Sequence, residues 1–245
     1  MRTIKFPIFT ATNNLWNFSA EFTSNDSPED KMRMKPAALF LSVTASLAIF
    51  GCASNRILTS QVVEKPSTAE LAPGPVRSII ESAIQQTTTT TGYTQDYFAI
   101  AYPNGDVPAE TGACTDVVIR SFRAAGVDLQ KEVHEDMTAH FAEYPQKWGL
   151  AKTDTNIDHR RVPNLQKYFE RLGKSMPITA NGSDYRPGDV VSWDLNGKGM
   201  THIGVVSNLW NADRKRHLII HNIGSGARAE DRLFEWKITG HYRYF

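Results

Sequence analysis

From Val76 onward the apolar positions follow first a helical and then a strand rhythm. Val76, Ile79, Ile80, Ala83 and Ile84 recur at helical spacing, and the threonine run Thr87–Thr91 ends that helix. Tyr97–Tyr102 reads as a strand and Pro103-Asn104-Gly105-Asp106 as a turn. A second helix opens at Cys114, with Val117, Val118, Phe122 and Ala125 on one face and Gly126 just past its end. Val133–Tyr144, carrying His134 and His140, reads as helical. Val162–Leu172 does so more clearly: Leu165, Tyr168, Phe169 and Leu172 form its stripe, Pro163 sits in the first turn and Gly173 stops it. After a turn at Tyr185-Arg186-Pro187-Gly188 the pattern becomes β. Strands are expected at Asp189–Trp193, His202–Ser207 and Leu218–Ile223, with Phe234–Ile238 and Tyr242–Phe245 closing the sheet. Helices first and an antiparallel sheet afterwards predict an α+β domain, its N-terminal helices packed on the sheet. No internal repeat interrupts this order.

Upstream the pattern is different. Residues 36–51 carry no charge and follow Arg33 and Lys35, the layout of a secretory signal peptide. The run is shorter than the roughly 20 residues of a spanning helix. It ends in Ile49-Phe50-Gly51-Cys52-Ala53-Ser54, which resembles the bacterial lipobox, with Cys52 as the lipidated residue. The competing reading, a buried helix over 38–50, lacks an amphipathic period. Residues 1–31 are polar and unpatterned, and read as an extension ahead of a true start at Met32 or Met34. Thus 32–51 is assigned to the signal peptide and 52–75 to the lipidated cysteine and a tether rich in Pro66, Ser67, Thr68, Pro73 and Gly74. Residues 76–245, about 170 in number, form the folded domain, a usual size for one core.

Composition narrows the function classes. The chain has 245 residues with 41% hydrophobic and 22% charged positions and a formal net charge of +1. That balance gives no concentrated basic surface for nucleic acid. Two cysteines exclude a disulfide framework, and their settings differ.

Cys114 stands at a loop-to-helix junction in Glu110-Thr111-Gly112-Ala113-Cys114-Thr115-Asp116. Helix-start N–H groups stabilise a thiolate and could hold an oxyanion, here through the backbone of Cys114 and Thr115. The plainer reading is a small apolar residue packed under the helix. His202 opens one strand and His221 ends the next. In a hairpin centred on Asn211-Ala212 the two would sit directly opposite on one sheet face, so that one imidazole could orient the other. The plainer reading is two solvated histidines at strand ends. His202, His221 and Asp189 could also serve as a zinc set, but no ligand-spacing motif accompanies them; no metal or cofactor is expected. In Asp158-His159-Arg160-Arg161, Asp158 could cap the following helix and Arg160 and Arg161 could bind a substrate anion, against a solvated helix start with an ion pair. Trp148 and Trp193 read as core or cleft wall, and His134 and His140 receive no role.

Together these segments resemble the NlpC/P60 superfamily of papain-like cell-wall hydrolases: Cys114 at a helix start, then Pro187-Gly188-Asp189-Val190-Val191, His202-Ile203-Gly204-Val205-Val206 and His221 in that order. More closely, the domain is similar to the bacterial family DUF1287. The matching stretches are Tyr102–Pro108, Cys114–Arg120, Asn156–Leu165, Arg186–Asp189, His221–Gly224 and Ile238–Tyr242. The resemblance implies a papain-like fold with Cys114 as nucleophile, His202 as base and His221 as third residue, and Arg160, Arg161 and Asp189 as substrate-binding candidates. Around the nucleophile the superfamily usually shows Asp-Cys-Ser-Gly, whereas this chain has Ala113-Cys114-Thr115-Asp116. The implied activity is cleavage of an amide, with peptidoglycan stem peptides as the nearest substrate. The implied setting is the envelope, with a monomer lipid-anchored through Cys52 to the outer membrane and facing the periplasm. A thiol acyltransferase and a non-catalytic binding lipoprotein are the alternatives.

Overall fold

The computed structural model describes residues 71–245. The extension, the signal peptide and most of the tether, Cys52 included, lie outside the described residues. Four helices precede a five-stranded sheet: α1 (Pro75–Thr89), α2 (Cys114–Ala124), α3 (Leu129–Ala139), α4 (Val162–Arg171), then β1 (Val190–Asp194), β2 (Thr201–Trp210), β3 (His217–Asn222), β4 (Ala227–Glu230) and β5 (Lys237–Tyr242). The sheet order is β4-β3-β2-β1-β5, antiparallel throughout. The domain is α+β, as the pattern of the sequence predicts.

Alternation along the strands splits the core between the two faces of the sheet. On one face Val190, Ile203, Val205 and Ile220 meet the helices through Ile79, Val118, Phe122, Leu165 and Phe169. On the other, Val191, Trp193, Val206 and Ile219 are covered by Tyr185 and Leu233, with Trp236 and Ile238 packed alongside. Each such fully buried side chain contributes roughly 1.5–3 kcal/mol. Both faces are therefore apolar, which is why β1 and β2 read as nearly continuous apolar runs.

Several elements depart from expectation for local reasons. Tyr97–Tyr102 is not a strand. Its backbone is held by side chains instead: Asn156 accepts from the Ile100 N–H at 2.9 Å, and Gln130 donates to the Ala101 carbonyl at 2.8 Å. The α3 helix starts four residues before the expected Val133, because Asp128 caps it by accepting from the Gln130 N–H. It ends at Ala139, and a 3₁₀ turn over Phe141–Glu143 follows. Asp158 does not cap α4; Asp158–Arg160 is a 3₁₀ turn of its own and Arg161 holds the N-cap position with no side-chain bond. The edge strand β4 was not expected, since Ala227-Arg228-Ala229-Glu230 has no β-branched or aromatic residue. The closing strand is Lys237–Tyr242 rather than the two flanking segments.

The β2–β3 register also differs. Val205 pairs with Ile220 and Val206 with Ile219, so His221 faces Gly204 and not His202. The turn is longer than a tight one at Asn211-Ala212. Asn211 bonds across to Arg216 and its side chain accepts from the Lys215 and Arg216 N–H groups. A bulge lies between Val206 and Trp210. The resulting displacement is two residues, which preserves the sheet face.

Candidate active site

Cys114 is the first residue of α2, and the start of that helix is fixed from three directions. Its N-cap, Ala113, has no side-chain acceptor. Asp116, one turn in, reaches back to the Ala113 N–H at 2.6 Å and also takes the Arg160 guanidinium at 2.9 and 3.0 Å. Asp116 and Arg160 are both buried, and Arg160 also donates to the Asp96 carbonyl at 2.8 Å. Asn222, next to His221, donates to the carbonyls of Gly92 and Gly112, both at 2.9 Å, and so ties the end of β3 to the loop before the cysteine. Gly112 itself has φ +157°, and a Cβ there would stand 3.0 Å from the Asp116 Cβ, so glycine lets the loop pass this close.

The Cys114 thiol is almost fully buried, at 6% exposure. Burial pushes its pKa up to about 12, against the opposing pull of the backbone N–H groups of Ile203, Thr115 and Cys114 itself. The two N–H groups expected to form an oxyanion hole thus face the sulfur, together with a third from β2. At rest the group is a neutral thiol.

His202 and His221 are brought together. His202 Nε2 lies 2.7 Å from His221 Nδ1 although the residues are diagonal rather than opposite. Gly204 makes this possible: a Cβ there would come within 2.7 Å of Ile219 Cγ2 and 3.0 Å of His221 Cβ, so its absence leaves the imidazole room to lean across. Both histidines are buried, not solvated, and their rings pack with Trp236 and, for His202, Trp193. Burial, reinforced by His221, drops the His202 pKa to about 3. Burial also lowers that of His221, whose other nitrogen lies 3.1 Å from Glu230 on β4 without hydrogen-bond alignment.

The thiol and this pair lie on opposite faces of β2. Ile203 faces the helices and offers its N–H to the sulfur, while Thr201 lines the same cleft as Cys114. His202, between them in sequence, alternates to the other face of the sheet, where it stands opposite Trp193 and its ring packs against Trp193 and Trp236. Its Nε2 is committed to His221, and its ring does not border the Cys114 cleft. No hydrogen bond joins the sulfur to either imidazole among the described residues.

The cleft above Cys114 encloses about 270 Å³ and is bordered by Gln95, Trp148, Ile157, Arg161, Pro163 and Thr201. Arg160 borders it too, but its charge is spent on Asp116. The Arg160-Arg161 pair is therefore not a solvated helix start: one guanidinium is a buried strut and the other stacks 4.1 Å over the Trp148 ring. Trp148 is cleft wall and Trp193 core, with its indole N–H on the Leu233 carbonyl at 2.9 Å. Asp189 stands apart, buried and saturated by Arg243 at 2.7 and 2.6 Å, His241 at 2.8 Å and the Arg186 N–H at 2.8 Å. It has no oxygen left for a substrate. Nor does it join His202 and His221 as a zinc set: among the described residues no three His, Cys, Asp or Glu side chains are placed to hold a metal. Sequence reasoning passed over Gln95, Thr201, Asn222 and Glu230. Asn222 carried a signal, lying in the His221–Gly224 stretch, while Glu230 fell in the strand that was not expected.

Comparison with known proteins bears on this arrangement. The family model described as "Domain of unknown function (DUF1287)" matches residues 80–244. This chain belongs to the DUF1287 family. The matched DUF1287 region holds every site residue above, from Gln95 to Glu230. A relative in Escherichia coli (strain K12), "Uncharacterized protein YijF", is 49% identical over 201 residues, covering 82% of this chain and 97% of that protein. No solved structure matches.

Proposed function

We propose that this DUF1287 domain is a papain-like cysteine hydrolase of the NlpC/P60 type that cleaves an amide bond, with peptidoglycan stem peptides as substrate. The observation that carries the reading is the setting of the thiol at a helix start against β2, the strand that bears the histidine pair on its other face. The thiol has the backbone N–H groups of Ile203, Thr115 and its own residue beside it, and the adjacent strand residue, His202, carries an imidazole oriented by a second one. This reading requires the neutral imidazole of His202 to reach the cleft side of β2, where it takes the Cys114 proton as the thiolate attacks the carbonyl carbon. The N–H groups of Cys114 and Thr115 hold the oxyanion. The proton passes to the departing amine, leaving a thioester. Water, giving a proton to His202, then attacks the thioester, which releases a carboxylic acid and restores the thiol. An acyltransferase would run the same first half and pass the acyl group to an amine. His221 holds the His202 tautomer throughout. The setting proposed is the outer membrane, facing the periplasm, with the chain anchored through lipidated Cys52 and acting as a monomer.

A binding role without chemistry is favoured by one feature, the protonated buried thiol with no hydrogen bond to imidazole. Digestion of purified peptidoglycan by the protein and by Cys114→Ala, with products identified by mass, separates the two. New fragments that vanish in the variant are expected. No fragments from the folded wild type would sink the hydrolase and leave the binding role.

A further inference from the structure

Arg161 is placed differently from every other cation near the thiol. It borders the Cys114 cleft, and none of the residues bordering that cleft is acidic. Its guanidinium carbon lies over the Trp148 ring, 4.1 Å from the centroid, a cation–π contact that restrains the head group. Its side chain is only 16% exposed, and burial lowers its pKa from the usual arginine value. Yet of its two acidic neighbours, Asp158 and Asp154, only Asp158 is met, by one long contact of 3.4 Å. The Asp158 carboxylate is directed elsewhere, accepting from the Asp154 N–H. Arg160 shows the contrast: it spends donors on both oxygens of Asp116 and on the Asp96 carbonyl. Arg161 therefore keeps most of its five donors in a half-dry site beside a thiol. The first turns of α2 and α4 both border the same space and add positive potential to it.

We infer that Arg161 is the anchor of a carboxylate subsite, so that the ligand of the Cys114 cleft carries a free carboxylate within reach of the bond presented to the sulfur. This deepens the proposed function and rests on that reading: the substrate class becomes an acidic peptide rather than any amide. Arg161 would act on binding, as a bidentate clamp held rigid by Trp148, and would take no part in proton transfer. Its side chain caps nothing at the start of α4, so replacing it leaves that helix start intact.

The test needs no knowledge of the substrate. The full chain is alkylated with iodoacetate, which carries a carboxylate next to the reacting carbon, or with neutral iodoacetamide, and modification of Cys114 is followed by peptide mass. Rates are normalised to those of the unfolded chain, so that the reagents' own reactivities cancel. In the native wild type the ratio of iodoacetate to iodoacetamide is expected to rise about tenfold, the size of one charge-assisted hydrogen bond. Arg161→Gln is expected to abolish the preference while the iodoacetamide rate stays the same, and Arg161→Lys to restore part of it. Equal normalised rates in the wild type would overturn the subsite while leaving Cys114 accessible and the hydrolase reading standing. A preference that survives in Arg161→Gln would likewise overturn it, assigning the attraction to the helix starts. Failure of either reagent to reach Cys114 in the native chain, with both reacting after unfolding, would overturn the subsite and the hydrolase reading together.

Discussion

Three histidines, His159, His202 and His221, are buried with lowered pKa values, and burial is the largest cause at each. For His159 and His202 the fall is to about 3. At neutral pH the His202–His221 pair is thus uncharged, and in the proposed mechanism it would have to accept the Cys114 proton rather than hold it in advance. The same values fix a stability trend. An unfolded histidine takes up its proton near pH 6.5, whereas these native ones resist it until about pH 3. Between those limits the unfolded chain binds more protons, so stability falls as the pH drops, by about 1.4 kcal/mol per pH unit for each such histidine. His159, whose Nδ1 has no partner and which lies outside the relay, isolates the effect. Urea midpoints of His159→Gln between about pH 6 and 4.5 are expected to decline less steeply than those of the wild type, by one proton's worth. Parallel declines would show that His159 titrates normally in the folded protein.

At the level of elements, the β2–β3 hairpin is the part most sensitive to a single atom. Gly204→Ala puts a methyl 2.7 Å from Ile219 Cγ2 and 3.0 Å from His221 Cβ. The expected loss of stability is about 1–3 kcal/mol, the usual cost of overpacking. The expected loss of peptidoglycan cleavage is larger than the unfolded fraction explains, because His221 can no longer lean towards His202. Cleavage per folded molecule equal to wild type would show the His202–His221 contact to be dispensable. This hairpin also shows what the sequence made legible. The period of two keeps both histidines on one face for any even shift of register, and the observed shift is two residues. The register itself depended on a turn whose length is set by Asn211 side-chain bonds to Lys215 and Arg216, which no hydrophobic pattern encodes. The start of α2 was legible because Gly112 and the apolar face at Val117, Val118 and Phe122 bracket it. The roles of Arg160 and Asp189 were not, because each is decided by a partner far along the chain, Asp116 and Arg243 respectively. Tyr97–Tyr102 and β4 erred in opposite directions: an aromatic, apolar run found side chains rather than a ladder, and an alanine-arginine run found an edge.

For the molecule as a whole, the described domain encloses its own core on both faces of the sheet. Among the described residues no helix is long and apolar enough to cross a membrane. The proposed envelope attachment rests on one atom, the sulfur of Cys52, and stands or falls separately from the chemistry of Cys114. A single acyl chain gives only marginal, reversible membrane binding, so stable attachment requires more than one. Expressed in a bacterial host, the wild type is expected in the membrane fraction, released by detergent but not by salt, with Cys52 as its N-terminal residue and a mass gain of several acyl chains. Cys52→Ser is expected to leave that fraction or to remain unprocessed, while its purified domain cleaves peptidoglycan at the wild-type rate. A wild-type chain that is soluble, with Cys52 unmodified inside an intact N-terminus, would remove the tether. Cleavage that survives in that soluble chain would then mean that access to substrate is set by the cleft, and by Arg161 at its mouth, rather than by confinement at a surface.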